Sequence, residues 1–354
     1  MAAATVGAIL LTGVTLYAVL GGADFGGGLW DLLAGGDQRG RLPRQLIDES
    51  ITPVWEANHV WLVFDLVIFW TAFPLAFASV MTVTALPLWL AVGGIVLRGS
   101  GFAFRKEITR PGLVRAAGAT FAFSSLVTPF FMGTVIGAIA TGNVPANATH
   151  ASLQAWTNGT SLLTGFLFVA ACGYLAAVYL TGEASRQGDD DLRVYFIRRA
   201  QAAAIVAGAL SLGLLAELHG SNRALYDRLT GRALPLVILA GLCGLAVIVL
   251  ISIRTPRLLE ARATAALGVA AVIWGWGVAQ YPVLLPHTGI TIDNAGAPQS
   301  TMVALIVVFV AAVVLVGPSF ILLFALQSRR VLRSDESTSL PATETEPGTT
   351  TPPA

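Results

Sequence analysis

The chain has 354 residues, 55% of them hydrophobic and only 12% charged, about half the charge of a typical soluble domain. Spread over several long apolar runs, that deficit excludes a large soluble core and points to a polytopic membrane protein. The formal net charge of +1 argues against an electrostatic nucleic-acid partner. Cys172 and Cys243 are too few and too far apart for a disulfide framework or a Cys-rich metal site.

Nine apolar segments are long enough to span, each needing about 20 residues. They cover approximately 5–27, 57–79, 81–103, 116–139, 159–181, 200–217, 233–253, 263–282 and 302–326. The second and third abut, so the turn between them is expected to be tight. No cleavable signal peptide is expected, because the first run lacks a basic flank and exceeds a signal's apolar core. With the N-terminus outside and sides alternating, the inner stretches hold Arg39, Arg41 and Arg44; Arg98, Arg105, Lys106, Arg110 and Arg115; Arg186, Arg193, Arg198 and Arg199; Arg254, Arg257 and Arg262; and Arg329, Arg330 and Arg333. Only Arg223, Arg228 and Arg232 then lie outside. The positive-inside rule selects this topology, with the C-terminus in the cytoplasm. Residues 1–333 form the membrane domain, and 334–354, rich in Ser, Thr, Pro and acid, are expected to be a disordered tail.

The first segment ends in the glycine-rich run Gly21-Gly-Ala-Asp-Phe-Gly-Gly-Gly28. No βαβ pattern surrounds it, so close helix packing explains the glycines better than phosphate binding. Asp24 lies near the inner end of this segment. The second segment opens with Thr52-Pro-Val-Trp-Glu-Ala-Asn-His-Val-Trp-Leu-Val-Phe-Asp65. Pro53 suits the first turn of a helix. Glu56 and His59 share one face, while Asp65, nine residues past Glu56, projects roughly the opposite way. Ionisable groups cost about 2.5–3.5 kcal/mol or more at the centre of a membrane helix, which makes these residues functional suspects. Asp24 and Glu56 could share one inward-facing mouth; the plainer alternative is two interfacial carboxylates in water.

Arg98, in Arg98-Gly-Ser-Gly-Phe-Ala-Phe-Arg105, could snorkel to the interface or pair with Asp24, Glu56 or Asp65. His150, His219 and His287 all fall at expected outer ends, so His59 has no partner at matching depth for a bis-imidazole haem, and no Cys/His spacing resembles a metal site. Trp55, Trp61, Trp274 and Trp276 lie near segment boundaries, where aromatic belts explain most such residues. A secondary transporter would show an inverted repeat around a midplane site; no repeat is evident.

Together these blocks resemble subunit II of the cytochrome bd-type quinol oxidases. Gly22-Ala-Asp-Phe-Gly26 is similar to its helix-one signature, and Pro53-Val-Trp-Glu-Ala-Asn-His-Val-Trp-Leu62 to its most distinctive block, in which Trp55-Glu56 is followed by Asn58 and Trp61. The Arg98–Arg105 stretch resembles the family's helix-three block. Tyr281-Pro-Val-Leu-Leu-Pro286, followed by Ile290-Thr-Ile-Asp-Asn294, resembles the end of its eighth helix and the next outer loop. The resemblance runs from residue 1 to about 333.

It implies an all-α polytopic membrane protein of nine transmembrane helices, arranged as two four-helix bundles plus one peripheral helix. It also implies a heterodimer in the bacterial inner membrane with a haem-bearing subunit I that oxidises quinol and reduces O2 to water with cytoplasmic protons. The chain itself is then expected to bind no haem or metal and to hold no catalytic residue, acting as proton carrier or as pure scaffold in contact with membrane lipid. A structural quinone occurs in some members. The residues leave the quinone type and any small accessory subunit open. By position, Asp24 and Glu56 match the family's carboxylates near the proton-uptake route, although the family often has Asp where Glu56 stands. His59 replaces a common Gln, and Arg98 would tune the carboxylates. No family role transfers to Asp65, whose expected part is charge pairing.

Overall fold

Each apolar run folds as helix, because a backbone removed from water must satisfy its own N–H and C=O groups. The computed structural model describes residues 1–36, 38–51, 55–107, 111–253 and 257–328. In chain order the elements are α1 (Ala2–Leu32), α2 (Arg41–Ile51), α3 (Trp55–Ala72), α4 (Pro74–Val83), α5 (Ala85–Glu107), α6 (Pro111–Thr141), α7 (Leu153–Trp156), α8 (Gly159–Gln187), α9 (Asp190–Ser221), α10 (Arg223–Thr230), α11 (Leu234–Ser252), α12 (Leu258–Gln280), the strands β1 (Val283–Leu285) and β2 (Ile290–Thr291), and α13 (Gln299–Ser328). Trp55, Glu56 and Arg105 sit on described helices, but their side chains lie outside the described residues, as does the expected tail at 334–354. Residues 1–307 form one compact unit and the chain from Val308 a second. The described part of the second continues as helix to Ser328 and exposes Val308, Val310, Val313, Val314 and Leu315.

Among the described residues, seven helices are long and apolar enough to cross a membrane, or eight if the bent pair 58–72 and 74–83 counts as one span. The apolar part of α5, Ala85–Gly101, is shorter. The chain is therefore a multi-pass membrane protein of helices.

The expected single segment over 57–79 is broken. α3 and α4 meet at 120°, because Pro74 has no N–H to continue the ladder and its ring clashes with the preceding turn. Phe73, fully buried, is the hinge. A break inside an apolar layer strands backbone carbonyls. One is answered from far along the chain: the Ala297 N–H donates to the Ala72 carbonyl at 2.8 Å. That bond anchors the α12–α13 connection, where β1 and β2 pair antiparallel with Val283 opposite Thr291. Leu285, Ile290 and Ile292 of this connection pack with Val6, Ala72 and Phe73.

The stretch after α1 also holds more than a loop. α2 is amphipathic: it buries Leu46, Ile47 and Ser50 on one side, against Trp30 and the Tyr174–Ala184 stretch of α8. The Arg44 Nε–Asp31 Oδ1 ion pair at 2.8 Å ties it to the end of α1.

Helix ends follow their capping residues. α8 stops at Gly188, which adopts φ +74°, a left-handed conformation that favours glycine. The next residue, Asp189, accepts the Leu192 N–H at 2.8 Å and starts α9, so α9 begins ten residues before the expected 200–217 segment. At the other end of α9, Asn222 accepts from the Leu225 N–H at 3.1 Å and donates Nδ2–H to the Ala140 carbonyl at 2.7 Å. One buried side chain thus caps α10 and fastens it to the end of α6. Asn222→Ala removes both bonds and is expected to destabilise the detergent-solubilised protein by about 2 kcal/mol, seen as a lower midpoint in thermal melts of its helical circular dichroism.

Candidate functional site

α1 packs against α8, α3, α6 and α12, and glycines at 21, 22, 26, 27 and 28 in its later turns let neighbours approach its backbone. A Cβ on Gly26 would collide with the Cys172 carbonyl of α8 and lie 2.7 Å from the Ala176 Cβ. Beside this approach α1, α3 and α5 bury Asp24, Asn58 and Arg98.

Asp24 is 5% exposed and Asn58 2%. The Asn58 Nδ2–H donates to Asp24 Oδ2 at 2.5 Å and to the Leu20 carbonyl at 3.3 Å, joining α3 to α1 through a carboxylate–amide contact. Arg98 of α5, 1% exposed, donates from Nη2 to the backbone carbonyl of the same Asp24 at 2.8 Å. Its guanidinium carbon lies 4.8 Å from the Phe25 ring centroid and 4.9 Å from that of Phe121. Of the two readings the sequence left open for Arg98, snorkelling is overturned: the head group is enclosed between two aromatic faces that attract a cation, on Asp24's main chain.

His59, half-buried, sits edge-on to Tyr17 at 5.9 Å and to Phe25 at 6.0 Å between centroids. Tyr17, Phe25 and Cys172 form a buried cluster against which Trp61, Leu62, Met132 and Phe168 pack. Trp61 is therefore partly enclosed by protein, and its ring also meets Phe64 at 6.1 Å. Asp65 is 7% exposed and lies directly on Gly13 of α1, where an added Cβ would collide with its Oδ1 and come 2.9 Å from its Cγ. Among the described residues Asp65 Oδ1, Tyr17 Oη and Arg98 Nη1 have no hydrogen-bond partner, and no ion pair includes Asp65.

The structure thus brings Asp24, Asn58, His59 and Arg98 together and sets Asp65 farther along the same α1–α3 seam, apart from Arg98's contacts. Sequence reading missed Tyr17 altogether. The signal was present: Gly13, Tyr17 and Asp24 fall four and then seven residues apart, which is one helix face. His150, His219 and His287 are exposed, and His219 contacts Arg223 within α9 and α10. No group of three or more His, Cys, Asp or Glu able to hold a metal ion occurs among the described residues.

Fold and seam define a multi-pass helical membrane protein with an enclosed carboxylate–amide–guanidinium network. Its family follows from comparison: residues 3–327 match the family of cytochrome bd terminal oxidase subunit II, and the chain belongs to that family. It is 27% identical over 177 residues to cytochrome bd ubiquinol oxidase subunit 2 of Bacillus subtilis, covering 49% of this chain and 50% of that protein. Over 210 residues it is 28% identical to cytochrome bd-I ubiquinol oxidase subunit 2 of Escherichia coli K12, covering 57% of this chain and 53% of that protein. The chain therefore spans about half the length of the curated relatives it matches. The fold is similar to that of the bd oxidase from Geobacillus thermodenitrificans, with a TM-score of 0.73 and 23% identity over 95% of this chain and 100% of that one.

Arg98 offers a test of what the seam requires. Arg98→Lys keeps the charge but loses the planar fork that stacks on Phe25 and Phe121. It is expected to destabilise the protein by about 1–2 kcal/mol, read as a lower thermal midpoint, whereas a purely electrostatic role would leave the midpoint unchanged.

Proposed function

We propose that this chain is the non-haem subunit of a quinol-oxidising, oxygen-reducing complex, and that it carries cytoplasmic protons toward a haem-bearing subunit I. In this reading it crosses the bacterial inner membrane nine times, N-terminus outside and C-terminus inside, as two four-helix bundles plus one peripheral helix. Residues 1–333 form the membrane domain, with 334–354 as a cytoplasmic tail. The arginine distribution supports that orientation, and family membership supports the complex.

The observation that carries the proton role is the hydrogen bond between enclosed Asp24 and Asn58. An ionisable group this far from water is expensive to keep and marks proton and ion pathways in membrane proteins. Reducing O2 to two waters consumes four protons and four electrons. Quinol supplies the electrons, and the partner's haems supply the redox chemistry when bound. This chain's task is the protons. A desolvated carboxylate relays them when water or a side chain bridges the gaps. Asp24 takes that role, held in orientation by Asn58 and by Arg98 on its main chain. Glu56, at the start of α3, extends the relay toward the cytoplasm, and His59, three residues on, continues it inward.

Arg98 stacked between Phe25 and Phe121 favours a second reading, in which the chain is a scaffold for subunit I and its polar residues are structural. Haem content and oxygen consumption, measured on the same preparations of the complex, separate the two. For Glu56→Gln and Asp24→Asn, the relay reading expects oxygen consumption per haem to fall about tenfold or more while haem content holds. The scaffold reading expects haem content to fall and turnover per haem to stay intact, which would overturn the relay.

A further inference from the structure

Asp24 is not the deepest carboxyl in the seam. Asp65 is ten residues into α3, roughly 15 Å along its axis, which is about half the ~30 Å hydrocarbon thickness of a bilayer. It is 7% exposed, has an oxygen without a hydrogen-bond partner among the described residues, and joins none of their ion pairs. A residue kept only for packing would not be a carboxyl here, since burying a polar group without a partner is unfavourable by several kcal/mol. Its setting is also built for it: α1 carries glycine at position 13, where any Cβ would displace the carboxyl.

Between Asp65 and Asp24 the same two helix faces hold further groups able to pass a proton. Along α1 they run Gly13, Tyr17, Asp24; along α3, Asp65, His59, Asn58. Tyr17 is 4% exposed, and its hydroxyl has no partner among the described residues. Its ring meets that of His59 at 5.9 Å, and both lie between the two carboxyls in sequence register. Gly13 and Asp24 are roughly 16 Å apart along α1, and Tyr17 stands between them. Among the described residues, the other titratable groups facing this file are Arg98 and Cys172.

We propose that Asp65 is the proton-holding terminus of a file Asp24–His59/Tyr17–Asp65, which lifts protons from the α1 C-terminal end of the seam to mid-membrane depth. The assignment rests on the proton-uptake reading above. Each transfer makes one O–H or N–H bond as another breaks, with water bridging where side chains do not touch. No electrons move in this chain. The proton held by Asp65 leaves toward the oxygen-reducing partner, where quinol is the reductant and O2 the oxidant.

Asp65→Asn keeps the shape resting on Gly13 and removes the exchangeable proton. In the purified complex, proton uptake after mixing reduced enzyme with oxygen, followed with a pH-indicator dye, is expected to slow about tenfold or more at unchanged haem content. Asp65→Glu should restore most of the rate, which a packing defect would not predict. Asp24→Asn measured alongside separates the two levels of inference. Slow uptake in Asp24→Asn with normal uptake in Asp65→Asn overturns the assignment of Asp65 and leaves the uptake reading standing. Normal uptake in both overturns both. If Asp65→Asn fails to assemble, the carboxyl C=O stretch in redox-difference infrared spectra of Asp65→Glu decides. A band shifted from wild type supports the assignment, and an unshifted band sinks it.

Discussion

A carboxylate, an amide, a guanidinium, a phenol and an imidazole share one buried seam, and the packing around them is arranged to make that tolerable. The means is closeness of backbones. Where α1 carries glycine at position 26, the main chain of α8 presses onto it at Cys172. Inside such a volume electrostatic interactions are several times stronger than at a surface, so a partner of the right kind counts for more. Asn58 answers the side chain of Asp24 while Arg98 answers its main chain. One residue of α1 thereby fixes the positions of α3 and α5.

The large features of the fold were legible because they follow from composition. A run of about 20 apolar residues has few alternatives to a membrane helix, and each expected segment overlaps helix. Features set by single residues were harder. Pro74 sits in an uninterrupted apolar run, so hydropathy continues across it while the hydrogen-bond ladder does not. α2 was hidden for the opposite reason: it is too polar to register as a span, and only Leu46, Ile47 and Ser50 betray a face that packs. The start of α9 was placed late because Asp189, Asp190 and Asp191 look like a solvated loop, although an aspartate cap followed by acids in the first turn is what a helix N-terminus favours.

The site was legible in part. Asp24 and Arg98 stood out as charges in apolar surroundings, and both are enclosed. Their relation could not be read from spacing, because Arg98 binds a main-chain carbonyl, which no sequence pattern marks. Asp65 was judged against Glu56 and found to face away from it. Compared with Asn58, seven residues earlier, it falls on the same face, and that comparison agrees with its place on Gly13. Tyr17 escaped notice because tyrosine is ordinary in membrane helices; its burial with an unsatisfied hydroxyl is a property of the packed state alone.

The bond from Ala297 to the Ala72 carbonyl has a mechanical meaning beyond the repair of a broken helix. α3 is clamped at one extremity by the α12–α13 connection and near the other by Asn58 on α1. A rod held at both ends cannot slide or roll along its neighbour without breaking one of the clamps. The vertical alignment of His59 with Tyr17 and of Asp65 with Gly13 is thus guarded from a point well away from either pair. Trimming or tethering that connection would detune the seam without touching a single residue in it.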